Sequence, residues 1–250
     1  MEFSYDSSLV AVSIAIAILG SFTGLVVTTG IKHVQGSEVI LRVILGGLGV
    51  GGGIWAMHFI AMLAVVLPIP LSYSFTETMV SAVLAVIFTA LAFAVVGRDM
   101  FGRLTLPVSA LFLGAGILGM HYLGMTAIRG NCLVTYSWLG IAISAAIAIQ
   151  ASGVALWFAF RQRGVIDTLL GAVALGLAIA SMHYSGMEAT RFFPAENAIE
   201  TLQGVLSKKH LAIAISVAIY LVCGACIFVF AFRTFARRPV APAPARLRLN

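Results

Sequence analysis

Three hexapeptides carry the residues that could do chemistry: Met57-His58-Phe59-Ile60-Ala61-Met62, Met120-His121-Tyr122-Leu123-Gly124-Met125 and Met182-His183-Tyr184-Ser185-Gly186-Met187. Histidine is scarce, five in 250 residues, yet three of the five have a Met directly before them and a Met four residues after. Six of the nine methionines belong to these copies. On a helix, residues four apart share a face, so His58, His121 and His183 point the same way as Met62, Met125 and Met187 respectively. Neutral imidazole beside a thioether is a soft donor pair suited to copper, above all Cu(I), whose single charge costs less to desolvate than a dication. Met57, Met120 and Met182 lie about 100° around the helix from their histidines and rank as supporting or alternative donors. A lone His in an apolar helix is ordinarily an interhelical hydrogen-bonding residue, and a lone Met is packing filler. Packing alone gives no reason to keep Met on both sides of all three histidines, because Leu or Ile of similar volume would serve.

Histidines so far apart must be brought together by the elements that hold them. The chain is 61% hydrophobic and 10% charged, with a mean hydropathy of +1.07, which excludes an ordinary soluble globule. Seven apolar segments, near 8–30, 43–66, 79–97, 105–127, 136–160, 166–188 and 210–232, are each long enough to cross a hydrocarbon core of about 30 Å. The sequence therefore predicts an all-α polytopic bundle of seven transmembrane helices in one domain, 1–235. A basic Pro/Ala-rich tail, 236–250, is expected to be disordered. Glu2 and Asp6 precede the first segment without any Lys or Arg, so it does not read as a cleavable signal peptide.

Charge placement predicts orientation. Lys32, Arg42, Arg98, Arg103, Arg161, Arg163, Arg233, Arg237, Arg238, Arg246 and Arg248, eleven of the fifteen basic residues, flank one side of the predicted spans. Arg129, Arg191, Lys208 and Lys209 fall on the other. Basic residues favour the cytoplasm, which puts the N-terminus outside (periplasmic) and the C-terminus inside a bacterial inner membrane. The net charge of +6 then reflects topology and contact with anionic membrane lipid, and no nucleic-acid partner is expected. Tyr136 with Trp138, and Trp157 with Phe158 and Phe160, fit aromatic belts at the two ends of the fifth span. Cys132 sits alone in a loop, and Cys223 with Cys226 reads as small apolar packing in the seventh span rather than a redox pair.

The histidines recur at intervals of 63 and 62 residues, matching one pair of spans with its loops. Seven residues before each lies Gly51, Gly114 or Gly176, and three after lies Ala61, Gly124 or Gly186. Spans 1–2, 3–4 and 5–6 thus read as three copies of one hairpin, with the seventh span added. Gly51, His58 and Met62, and their counterparts, form one stripe per helix whose small residues permit close helix approach, so the stripe should face the interior. The topology places all three motifs near the outer face. After the sixth span, Ile199, Leu202 and Leu206 are spaced for a short amphipathic helix on that surface.

Met120-His121-Tyr122 and Met182-His183-Tyr184 resemble the signature of the bacterial MHYT domain, an integral membrane sensor module, over almost the whole chain. The fourth signature position departs from it, with Ile60, Leu123 and Ser185, and the first copy has Phe59 in place of tyrosine. The resemblance implies a copper site formed by Met and His and a role in sensing oxygen, carbon monoxide or nitric oxide. In many such proteins the module precedes domains that make and break cyclic di-GMP. About 18 residues follow the seventh span, so signalling through a separate cytoplasmic partner is expected. Two alternatives remain open on the residues alone: a copper transport protein, and haem held between paired histidines. Enzymatic activity is not expected, since no carboxylate pair, nucleophile–base set or phosphate loop stands out.

Overall fold

In a computed structural model, residues 3–69, 71–98, 102–130, 132–160, 164–194 and 208–236 are described. Among the described residues, seven helical spans are long and apolar enough to cross a membrane, as predicted, and the chain is a multi-pass membrane protein with an all-α bundle. The helices are α1 (Ser7–Thr28), α2 (Ser37–Gly46), α3 (Gly52–Ala64), α4 (Phe75–Val96), α5 (Thr105–Met125), α6 (Trp138–Phe160), α7 (Val165–Glu188) and α8 (Lys208–Ala236). A π-helical segment, Gly47–Gly51, joins α2 to α3, so the two form one continuous second span. The surface helix predicted over 195–206 and the tail from 237 onward lie outside the described residues.

Polar residues account for the largest boundary difference. Glu38 and Arg42 depress local hydropathy and moved the predicted start of the second span to 43, yet the helix begins at Ser37. Both side chains have partners that make this possible. Glu38 pairs with Arg233 of α8 at 3.8 Å, and Arg42 donates to the Thr29 carbonyl while its guanidinium lies 5.1 Å over the Phe230 ring. The turn before it uses Gly30 (φ +71°) and Gly36 (φ +62°), where a β-carbon would be strained. At the opposite end, the Asp6 carboxylate caps α1 by accepting from the amides of Ser8 and Leu9 at 2.9 and 3.4 Å.

The first six spans pack as a closed ring: α1 on α2–α3, that span on α4, then α5, α6, α7 and back to α1. Close helix approach is set by the predicted glycines. A β-carbon on Gly51 would stand 2.6 Å from Val86 Cα of α4, one on Gly114 2.8 Å from Ile149 Cα of α6, and one on Gly176 2.8 Å from the Ile18 amide nitrogen of α1. The three copies therefore repeat the same contact around a pseudo-threefold axis, each against the first helix of the next hairpin. Helix α8 lies outside this ring, against α1 and α3.

Three short antiparallel strand pairs, not anticipated from sequence, close the end where the motifs lie. β1 (Ser4–Tyr5) pairs with β2 (Val65–Val66), β3 (Ser72–Tyr73) with β4 (Ile128–Arg129), and β5 (Cys132–Tyr136) with β6 (Thr190–Pro194). Each pair ties the entry of one hairpin to its exit, which supports spans 1–2, 3–4 and 5–6 as the structural repeats. Strands of two to five residues are too short to show a sequence alternation.

Candidate metal centre

His58 on α3, His121 on α5 and His183 on α7 meet on the pseudo-threefold axis, all fully buried. Their ring centroids are 5.1 Å apart in every pair, and the planes stand at 79–88° to one another, like blades of a propeller. The Nδ1 atom of His58 is 3.1 Å from that of His183 and 3.3 Å from that of His121. Among the described residues these three form the group of His, Cys, Asp or Glu able to hold a metal ion, with one donor atom each within 4.8 Å of the others.

The arrangement fits a single small cation. Nitrogen donors about 2.0 Å from one ion in trigonal or tetrahedral geometry stand about 3.3–3.5 Å apart, close to the separations seen. Three converging Nδ1 atoms cannot satisfy one another by hydrogen bonding, because each lone pair needs its own donor and a shared acceptor serves only one. A single ion held by His58, His121 and His183 would accept all three lone pairs. The same spacing leaves no slab for a macrocycle between two axial nitrogens, which speaks against haem. On the far side of each ring, Nε2 is buried without a hydrogen-bond partner. Two of the three rest on glycine: a β-carbon at Gly124 would lie 2.5 Å from His58 Nε2, and one at Gly186 2.6 Å from His121 Nε2, while the equivalent position of the first repeat is Ala61. Glycine three residues after the histidine is thus the space into which the neighbouring imidazole fits.

The methionines divide into two layers. Met62, Met125 and Met187 pack together one turn beyond the rings, in a buried cluster with Val65 and Phe192 beneath the strand pairs. Met57, Met120 and Met182 lie on the other side, in a second cluster with Ile54, Ile117 and Ile179 and then Val50, Leu113 and Leu175. Those six aliphatic side chains are fully buried or nearly so and stand four and eight residues before the histidines, forming two aliphatic layers; the buried hydroxyl residues Ser21, Thr89, Ser109 and Ser152 also lie within the bundle. Of the nine residues singled out from the sequence, the three histidines share one level, with one methionine layer on either side of them. Glu188, the acid next to the third motif, is exposed and acts on Tyr5 instead of a histidine.

A shell around the histidines was missed. The aromatic residue after each histidine meets a tyrosine edge-on: Phe59 with Tyr73, Tyr122 with Tyr136 and Tyr184 with Tyr5, at 5.2–5.8 Å between centroids. The Tyr122 hydroxyl shares a hydrogen bond with Ser144 Oγ at 3.0 Å, and Tyr184 with Ser13 Oγ at 3.2 Å. In the first copy Phe59 has no hydroxyl, and the equivalent Ser81 donates only to the Thr78 carbonyl at 2.7 Å. The signal was present as Ser4-Tyr5, Ser72-Tyr73 and Thr135-Tyr136, each followed eight residues after the tyrosine by Ser13, Ser81 or Ser144. Burial pushes Tyr136 up to about 12, with the nearby Tyr122 adding to the shift. Burial first, then Tyr184 and Glu188, also raises Tyr5, and burial with Cys132 nearby raises Tyr73, so the three capping tyrosines remain protonated.

A family model described as "Bacterial signalling protein N terminal repeat", MHYT, matches residues 51–108, 114–172 and 176–241. The chain belongs to the MHYT family. The three matched repeats begin at Gly51, Gly114 and Gly176, the glycines that set the helix contacts. The chain is 41% identical over 194 residues to the bifunctional diguanylate cyclase/cyclic di-GMP phosphodiesterase MucR of Pseudomonas aeruginosa, covering 76% of this chain and 28% of that protein. It is 31% identical to the signalling protein YkoW of Bacillus subtilis, over 77% of this chain and 25% of that one. It is 35% identical to the cyclic di-GMP phosphodiesterase NbdA of Pseudomonas aeruginosa, over 74% and 24% respectively. The MHYT chain thus spans about a quarter of the length of these relatives. No solved structure matches it.

Proposed function

We propose that this MHYT protein is a membrane sensor that binds one copper ion through Nδ1 of His58, His121 and His183, and that it responds to a diatomic gas such as oxygen, carbon monoxide or nitric oxide. The observation that carries the reading is the convergence of three buried histidines in an uncharged setting, with His58 Nδ1 3.1 Å from that of His183 and 3.3 Å from that of His121. Neutral imidazoles with thioethers in the adjoining layers favour a soft ion of low charge. Bound copper would supply an open coordination position for a small ligand. The chain's own contribution is to hold the three rings at fixed angles, exclude water and keep the tyrosine hydroxyls bonded to serines. The basic-residue bias supports an orientation with the strand-capped end facing the periplasm.

Transport is the weaker reading. A permeant metal ion needs donors at several depths, whereas the positions below the rings are Ile54, Ile117, Ile179, Val50, Leu113 and Leu175. The names of MucR and NbdA support an output concerned with cyclic di-GMP, reached through a cytoplasmic signalling partner. Elemental analysis of the purified protein beside a His58→Ala, His121→Ala, His183→Ala variant tests the site. Stoichiometric copper in the first and little in the second is expected, and equal metal in both refutes the assignment. A Soret band in the visible spectrum would instead favour haem.

A further inference from the structure

At the end of the bundle away from the strand pairs, a cavity of about 470 Å³ opens between three helices. Helix α1 contributes Phe22, Val26 and Thr29, α7 contributes Gly164, Val165 and Thr168, and α8 contributes Phe230. The hydroxyls on its walls are already engaged: Thr29 Oγ1 donates to the Leu25 carbonyl at 2.9 Å and Thr168 Oγ1 to the Gly164 carbonyl at 3.1 Å. Its depth is therefore apolar and suits hydrocarbon better than a polar ligand. From Phe22 to Thr29 the α1 wall is about 10 Å long. Val165 at its edge is 79% exposed, so the cavity opens sideways to the surface that faces lipid. Counted from the histidines, Thr168 corresponds to Leu106 of the second repeat, which packs on the core; the shorter side chain leaves room at α7.

The mouth of this cavity carries charge. Arg42 donates to the Thr29 carbonyl and its guanidinium lies 5.1 Å over the Phe230 ring, and both of those residues line the cavity. Contacts to two different helices thus hold a cation at the rim, where Thr29 and Gly164 are exposed. The same end of the bundle carries Lys32, Arg98, Arg103 and Arg233 beside the acids Glu38 and Asp167, and Glu38 is paired with Arg233 at 3.8 Å. Positive charge outweighs negative there. A hydrocarbon chain gains little by leaving the bilayer for an apolar groove, because lipid tails match the groove in polarity. Selection is therefore made at the headgroup, and a basic rim between spans favours one with net negative charge.

We infer that this cavity binds one anionic phospholipid, with an acyl chain between Phe22, Val26, Val165 and Phe230 and the phosphate at Arg42. The site lies at the opposite end of α7 from His183 and needs no metal. Helix α8 stands outside the ring of six spans, and the cavity separates its Phe230 from the start of α7. A chain seated there fills that gap and braces the last turns of α8 against the third repeat.

Native mass spectrometry of the full-length protein in detergent tests this, with phosphatidylglycerol, phosphatidylcholine of the same chains and inorganic phosphate as separate probes. One phosphatidylglycerol should be retained about five-fold more tightly than phosphatidylcholine, the preference expected from one basic residue at the headgroup. Phosphate should not displace it. Gly164 has an extended backbone (φ −168°) and a β-carbon there meets nothing within 4 Å, so Gly164→Trp is tolerated by the fold and occupies the cavity. Val26→Trp fills it from the α1 side. Both should abolish retention of the lipid, whereas Gly224→Trp, at another open position of α8, should leave it unchanged. Arg42→Gln keeps a donor for the Thr29 carbonyl and should reduce phosphatidylglycerol to the level of phosphatidylcholine. Equal retention of the two lipids by the wild-type protein, undiminished retention in both filled variants, or equal loss in Gly224→Trp overturns the inference. Displacement of the lipid by phosphate alone would make the mouth a simple anion site and overturn it too.

Discussion

Gly124→Ala is the sharpest test of the histidine geometry. The added β-carbon would lie 2.5 Å from His58 Nε2 and 2.8 Å from its Cδ2. Ordinary van der Waals contact begins at 3.4 Å, so the ring must retreat by about 0.9 Å. The imidazole is rigid, and Phe59, His121 and His183 already meet it edge-on at 5.0–5.1 Å. The retreat therefore drives Nδ1 toward the other two donors or tilts it off the axis. Metal–ligand distances tolerate about ±0.2 Å, several times less than this displacement. Copper affinity should fall by about 10–100-fold, with about 1–3 kcal/mol of overpacking cost to stability. Competition for Cu(I) with a coloured chelator measures the first, and thermal unfolding of the copper-free protein the second. Gly119→Ala, on the same helix, is the control: its β-carbon meets only the flexible end of Leu84 at 3.2 Å and should leave affinity unchanged. Equal affinity for wild type and Gly124→Ala, or equal loss in the two variants, would refute the reasoning.

Other outcomes follow from the same structure. Replacing Met62, Met125 and Met187 together by Leu preserves volume, so the fold should persist; a ten-fold or greater drop in Cu(I) affinity, read by chelator competition, would assign the thioethers as donors, and no drop would make them packing. Tyr122→Phe removes the hydrogen bond to Ser144 and should cost about 1 kcal/mol while leaving metal stoichiometry intact, because the first repeat already carries Phe59 there. Tyr136 titrates near 12 in the folded state and near 10 when unfolded, so its contribution to stability is complete below pH 10 and lost as pH rises toward 12. Absorbance at 295 nm during alkaline unfolding checks this, and tyrosine ionisation below pH 10 would contradict it. Arg129→Met should change stability by less than about 1 kcal/mol, because the Glu77–Arg129 ion pair is partly exposed to solvent.

Much of the architecture was legible because membrane insertion leaves a strong hydropathy signal and duplication leaves a period. Gly51, Gly114 and Gly176 were visible as equivalent, and their contacts proved equivalent. The histidines could be placed at one depth, but not on one axis, since spacing along a chain does not fix which helices face each other. The role of Gly124 and Gly186 was hidden for the same reason: each makes room for a histidine of a different repeat. The tyrosine shell is not legible from the motifs, because Tyr5, Tyr73 and Tyr136 precede the other helix of each hairpin and lie far along the chain from the aromatic residues they meet. The π-turn leaves no distinctive pattern beyond a run of glycines.

The six aliphatic side chains beneath the histidines have a consequence for where the protein can gather its information. On the proposed copper reading, an ion arriving from the far end would meet two oily layers with no imidazole, sulfur or carboxylate to hand it on. Loading from the strand-capped end is the expected route, and supply on that side would set the occupancy.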